Sequence, residues 1–304
     1  MGVPGLRREI ESRPPHSRRA WLTLAAAGLA GCTLLPDADH DGDDAPLAVP
    51  IDREARTAWV LGSGGPRGFV HVGVLKALDE LALQPDLIVG ASVGALVGTL
   101  RAAGLRATTI ETLALELQTP AMARLALWVD ERFSGTPLAE WVRAHAPIRL
   151  LERMPVRMAC VAVRRRDGAV VAFTGGDAGT AVQASAAVER QFAPVRIRGE
   201  QYVDPDGFAP LPVRLARALG AQRVIAVDAS AHEDRAPPGA ERFRDSDLRK
   251  RSLVQADARY ADLVLHPDFG YWVSLSRAFR ERAIEAGYRH ALAQASRLRE
   301  LHAA

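Results

Sequence analysis

A chain of 304 residues with 48% hydrophobic and 25% charged residues can bury one large core, a balance that excludes wholesale disorder. Its formal net charge of +3 invites a polyanionic partner, but five arginines against Glu9 and Glu11 within residues 1–31 account for all of it. The rest is formally neutral, so its charge gives no support for nucleic acid as a partner. In chain order, basic residues run through Arg19, an apolar stretch covers 20–30, and Cys32 follows. That order reads as a targeting segment, too short to be a comfortable membrane-spanning helix.

The residues Leu29-Ala30-Gly31-Cys32 resemble a bacterial lipobox, and Ser17-Arg18-Arg19-Ala20-Trp21-Leu22 resembles a twin-arginine export signal, with Sec as the other route. The expectation is a signal peptide over 1–31, a lipidated Cys32 and an acidic, flexible tether to residue 56. Thr33 after the cysteine favours a lipid-anchored protein of the cell envelope, on the periplasmic face of the outer membrane. Only Cys160 then remains, so no intramolecular disulfide can form. Cys160 sits in an apolar run and reads as core. The run Asp37-Ala38-Asp39-His40-Asp41-Gly42-Asp43-Asp44 resembles the start of an EF-hand loop, but Ala48 occupies the twelfth place, where a glutamate is needed.

Residues 57–61 predict a strand, followed by Gly62-Ser63-Gly64-Gly65-Pro66-Arg67-Gly68 and a helix with an apolar face at Val70, Val74, Leu75, Leu78 and Leu81. A glycine-rich turn between strand and helix offers backbone N–H groups to an anion or oxyanion. Arg67 stands where a dinucleotide-binding turn needs its third glycine, and no Gly-Lys-Ser/Thr of a phosphate loop is present. A second strand-to-helix turn follows in Gly90-Ala91-Ser92-Val93-Gly94, the G-x-S-x-G pattern of a serine nucleophile. In a parallel sheet two such turns share the carboxyl edge and can meet one substrate.

Together these motifs are similar to the patatin-like phospholipase family. The resemblance implies a three-layer α/β/α sandwich with a mostly parallel central sheet over residues 57–304. It also implies a serine acyl hydrolase that works through a Ser-Asp dyad, with Ser92 as nucleophile. Gly64, Gly65, Arg67 and Gly68 would form the oxyanion loop, with Ser63 in a place the family usually gives to glycine. His71 would be a packed or capping histidine. The segment from Ala184-Ser185 through Tyr202-Val203-Asp204 to Pro210-Leu211-Pro212 has the family's spacing and makes Asp204 the dyad base.

This chain departs from the pattern at Pro205 and Asp206, which follow Asp204 in place of glycine and then glycine or alanine, at Ala209, and at Glu189-Arg190. Asp206, with Gly207 behind it, is the runner-up base, and His266 offers an alternative Ser-Asp-His triad. Elsewhere 107–146 reads as mostly helical, with apolar residues at 122–128, Phe133, Leu138 and Trp141. Residues 156–163 and 169–173 predict a hairpin through Asp167-Gly168. Further strands are expected at 223–227 and 262–265, a polar surface segment at 230–251, and a long helix over 274–301.

The expected activity is therefore an esterase or phospholipase A-type hydrolase acting on membrane lipid or another lipid ester. No metal or organic cofactor is implied, and the oligomeric state is left open. The alternative is a catalytically impaired lipoprotein of the same fold that binds lipid or organises the envelope.

Overall fold

Short aliphatic and β-branched runs bounded by glycine-rich or polar turns form a sheet whose strands are buried along nearly their whole length. The computed structural model describes residues 39–50, 54–117 and 133–303. Eight strands are present among the described residues: β1 (Ala55–Leu61), β2 (Leu87–Ala91), β3 (Arg157–Arg164), β4 (Ala169–Phe173), β5 (Val195–Ile197), β6 (Glu200–Val203), β7 (Ala221–Val227) and β8 (Leu263–Leu265). β1 lies between β2 and β7, with β3 beyond β2 and β8 beyond β7, all parallel. β4 and β6 pair antiparallel with β3, and β5 antiparallel with β6.

Alternate residues of the sheet face two cores, as the two-residue period of a strand requires. Trp59, Leu61, Ile88, Met158, Ile225 and Val227 face the larger one. It is closed by α1 (Phe69–Glu80), α2 (Val93–Ala102) and α8 (Arg277–Ala293), among other helices. Ala58, Val60, Val89, Val161 and Val224 face the smaller core under α6 (Val213–Ala218) and α7 (Arg244–Ala258). The remaining helices are α3 (Ala107–Glu116), α4 (Thr136–His145), α5 (Ala178–Ser185) and α9 (Ala295–Ala303). The sheet with helices on both faces is the expected α/β/α architecture, and almost every parallel strand is covered on both sides.

The register has one consequence for function. Leu61 pairs with both Gly90 and Val227, so the turns after β1, β2 and β7 emerge side by side. β2 pairs with β3 through Val161 and β6 through Val163, while β4 holds an edge of β3 over 160–164. Each edge residue can serve one neighbour at a time, so β2 and β6 share the edge that β4 leaves free. Their carboxyl ends run toward each other along that edge, and the next residues are Ser92 and Asp204.

Several expectations shift in detail. The segment read as a flexible tether lies in part along the domain: His40 N–H donates to Arg196 O at 2.9 Å and Leu47 N–H to Gly175 O at 2.9 Å. The polar segment 230–251 becomes helical from Arg244, and the long last helix divides at Gln294 into α8 and α9. The short strands β5 and β6 carry little local signal and are formed by pairing. Residues 122–128, Cys32 and the signal-like segment lie outside the described residues.

Candidate active site

Ser92 joins β2 to α2 with φ 55° and ψ −121°, a left-handed backbone that costs a non-glycine residue energy and turns the chain sharply. The turn closes only around small neighbours. A Cβ on Gly94 would lie 2.0 Å from Leu61 O, and one on Gly90 would lie 2.5 Å from the Ala95 Cα. The bent backbone is tied down from below: Ser92 N–H donates to Ser185 Oγ at 2.9 Å, and the Ser185 hydroxyl donates to Val161 O at 2.5 Å. Ser185 thus connects α5, β3 and the elbow.

The glycine-rich turn packs directly against this elbow, since a Cβ on Gly68 would overlap the Val93 side chain. Ser63 N–H donates to Pro210 O at 2.8 Å and Arg67 N–H returns to Gly64 O at 3.1 Å. Gly65 has φ +51° at the start of the 3-10 turn Gly65–Gly68. The N–H groups of Gly64 and Gly65 take no part in those turn bonds. Arg67 is buried and turns inward, its Nε donating to Ala229 O at 3.0 Å and its Nη1 to Gly270 O at 2.7 Å. These contacts orient the loop. Below it, His71 is wholly buried and its Nε2–H donates to Gly62 O at 2.8 Å. Burial pushes the His71 pKa down to about 4, outweighing the Gly62 bond, so the ring is neutral and structural at ordinary pH.

Asp204 ends β6, with 6% of its surface exposed. It caps the 3-10 turn Pro205–Gly207: its Oδ1 accepts from Asp206 N–H at 2.8 Å. Pro205 occupies the first position of that turn, where a missing N–H costs nothing. The extended backbone of Asp204, with φ −59° and ψ 137°, is the conformation a residue before proline prefers. The departure from glycine is absorbed by the turn. Asp204 Oδ2 is buried with no donor at hydrogen-bond geometry. Burial first, and the neighbouring charge of Asp206 second, push the Asp204 pKa up to about 7; the Ser92 hydroxyl opposes the rise.

Asp206 is half-exposed and already engaged. The Ser63 hydroxyl and Lys250 Nζ, the latter at 2.5 Å, both donate to its Oδ1. Burial alone would raise its pKa, but the Lys250 charge and these bonds hold it below the usual range. Such a carboxylate is a poor proton acceptor. His266 pairs with Asp228, its Nδ1 lying 3.2 Å from Asp228 Oδ2. No hydrogen bond links His266 to Ser92 or Asp204 among the described residues. Cys160 is fully buried and its thiol is pushed up to about 12, mainly by burial, which leaves it inert.

Three contributors were not recognisable by sequence reasoning. In the sequence Ser185 belongs only to a spacing pattern, Ser63 stands only as a substituted glycine, and Lys250 is one cation in a charged segment. Their roles arise from β6, α5 and α7 meeting at one edge, which no local pattern encodes.

The patatin-like phospholipase profile matches residues 59–216, just over half of the chain and inclusive of both turns and Asp204. An uncharacterized NTE family protein of Mycobacterium tuberculosis is 30% identical over 197 residues, which cover 62% of this chain and 53% of that protein. A lysophospholipase NTE1 of Mycosarcoma maydis is 27% identical over 243 residues, or 76% of this chain and 12% of that protein. The chain therefore spans about half the length of the mycobacterial relative and a small part of the fungal one. Among solved structures, VipD from Legionella pneumophila aligns over 89% of this chain and 70% of its own, with TM-score 0.46 and 14% identity. With just over half of its length matched by that profile, the chain belongs to the patatin-like phospholipase family.

Proposed function

We propose that this protein is a serine hydrolase of lipid carboxylic esters, with Ser92 as nucleophile and Asp204 as its base. The observation that carries the reading is the meeting of β2 and β6 end to end on one edge of β3. That topology supports pairing the strained Ser92 with the buried carboxylate of Asp204, whose Oδ2 has no donor. As Ser92 Oγ attacks the ester carbonyl carbon, its proton passes to Asp204 and the carbonyl π electrons move onto oxygen. The Gly64 and Gly65 N–H groups would hold that oxyanion. Collapse expels the alcohol, which takes the proton from Asp204. Water, deprotonated by the same carboxylate, then attacks the acyl carbon, and the C–Oγ bond breaks as Ser92 Oγ takes the proton back from Asp204.

A raised pKa suits this work: a carboxyl near 7 is a stronger base than an ordinary aspartate while still ionised in part at neutral pH. A lipid substrate is supported by the family and by Trp272 and Val273, half-exposed in the loop whose Gly270 carbonyl Arg67 holds. Lipidation of Cys32 would keep the site beside a bilayer.

Activity-based labelling with a fluorophosphonate, alongside turnover of short- and long-chain esters, tests the proposal. Wild type is expected to label and turn over; Ser92→Ala abolishes both, and Asp204→Asn lowers kcat by about 10²–10⁴-fold. Labelling of Ser92→Ala equal to wild type, or no label and no turnover in wild type, overturns it. The latter result would leave a lipid-binding protein of the same fold.

A further inference from the structure

Beside the glycine-rich turn, on the side away from Asp204, three side chains converge without any part in the proposed hydrolysis. Asp228 follows β7 and His266 follows β8, and the pairing of Val227 with Leu265 sets these two positions next to each other. His232 returns from the loop after β7. Asp228 Oδ2 lies 3.2 Å from His232 Nε2 and 3.2 Å from His266 Nδ1. The ligand-capable atoms of all three residues lie within 4.8 Å of one another.

The arrangement differs from an ordinary carboxylate–imidazole pair in two ways. Charge-assisted N–H···O contacts close to about 2.7–2.9 Å, and both nitrogens stop short of that, with His266 Nδ1 also 3.1 Å from the Asp228 carbonyl oxygen, a contact the ion would replace. Two ligands with bonds of about 2.0–2.1 Å to one tetrahedral ion stand about 3.3 Å apart, close to the spacing observed. The imidazole rings stack face to face, with centroids 3.9 Å apart and an angle of 9°. Ligating lone pairs lie in the ring planes, so one imidazole turns about its Cβ–Cγ bond for both to reach one ion.

The carboxylate is also prepared from behind. Asp228 Oδ1 accepts from Ser230 N–H at 2.9 Å and from the Ser230 hydroxyl at 2.6 Å, which orients Oδ2 toward the imidazoles. Such outer contacts are what fix a ligating carboxylate. Asp228 is 3% exposed, while His232 and His266 are half-buried, so the open side of the cluster faces solvent and an ion can enter.

We propose that Asp228, His232 and His266 form a binding site for a divalent transition ion of the Zn²⁺ class, with its remaining coordination open to water. Two imidazoles and one carboxylate suit such an ion better than Ca²⁺ or Mg²⁺, which favour oxygen ligands. The ion would clip the ends of β7 and β8 together. Asp228 precedes Ala229, whose carbonyl holds Arg67 Nε and whose Cβ lies against Gly64, so the clip would brace the glycine-rich turn.

The test uses the full-length protein, stripped with a chelator and titrated with Zn²⁺ against a chromophoric competitor, and separately with Co²⁺. Wild type is expected to bind one Zn²⁺ and to give the intense visible absorption of low-coordinate Co²⁺. His232→Gln and His266→Gln each weaken Zn²⁺ by at least about 100-fold and remove the Co²⁺ signature. Ser230→Ala weakens Zn²⁺ by about 10–100-fold. Glutamine keeps a hydrogen bond to Asp228 within reach, and circular dichroism confirms that these half-buried variants fold. Binding retained in both glutamine variants, or a wild-type Co²⁺ spectrum equal to that of the aqueous ion, overturns the site.

Discussion

The two halves of the site are built from different materials. The turn of Ser92, the proposed nucleophile, is made of backbone and small residues: Gly90 and Gly94 admit close approach, Ser92 takes a left-handed conformation, and Gly68 packs on Val93. The turn of Asp204, the proposed base, is made of side chains drawn from afar: Asp204 caps its own turn while Ser63 and Lys250 restrain Asp206 from other elements. Backbone geometry at van der Waals contact tolerates almost no substitution. Charges and hydrogen bonds can be retuned one at a time. The difference explains how a chain can keep the G-x-S-x-G pentad intact while Pro205 and Asp206 replace glycine and then glycine or alanine beside the proposed base.

The largest expected effect therefore falls on the elbow. In Gly94→Ala the added methyl would sit 2.0 Å from Leu61 O and 2.8 Å from Gly62 O, both backbone atoms that cannot rotate away. Either α2 or the turn after β1 must move. A loss of about 3 kcal/mol is expected in denaturant unfolding, together with loss of fluorophosphonate labelling. A stable, fully labelled Gly94→Ala would break the contrast between the two turns.

Legibility in the sequence followed the same division. The parallel strands β1, β2 and β7, the helix α1 and the pentad carry local signals: aliphatic runs, an i, i+4 apolar face and glycines at fixed offsets. The position of Asp204 was legible only through spacing shared with a known family, because β6 is four residues long and exists by pairing with β3 and β5. Lys250 could not be assigned at all. A lysine among the charges of α7 looks the same whether it faces water or Asp206. The same holds for Asp228, His232 and His266, which only the alignment of β7 with β8 brings together.

A smaller effect is expected where the sequence departs from its family. Pro205→Gly restores the residue type usual after the aspartate. Proline already sits at the first position of the 3-10 turn and forfeits no bond there, so glycine mainly adds freedom to the unfolded chain. Stability should fall by about 0.4–1 kcal/mol in urea titration. Ester turnover should stay within about threefold of wild type, since the Asp204 Oδ1 contact to Asp206 N–H survives. A large gain in turnover would mean that proline distorts the base, and the two turns would then be equally strict.

The smallest change concerns charge alone and leaves the rate plateau at high pH untouched. Asp204 accepts a proton only when ionised, so kcat/KM should rise with pH, reaching half its plateau near pH 7. Asp206→Asn removes the negative neighbour that raises the Asp204 pKa, so the rising limb moves to lower pH. Lys250→Met removes a cation that lowers it, so the limb moves to higher pH. Stability carries the same signature. A carboxyl whose folded pKa is raised stabilises the fold fully below the unfolded value of 3.8 and loses that contribution as pH rises through about 7. The stability of wild type relative to Asp204→Asn should therefore decline between pH 4 and pH 8. His71, with its pKa lowered to about 4, acts in the opposite sense, destabilising the fold as pH falls below 6.5, and cancels in that difference. Limbs that move in the same direction in Asp206→Asn and Lys250→Met would show that the turn governs the base through its shape rather than its charges. The base side would then be as much a matter of geometry as the elbow.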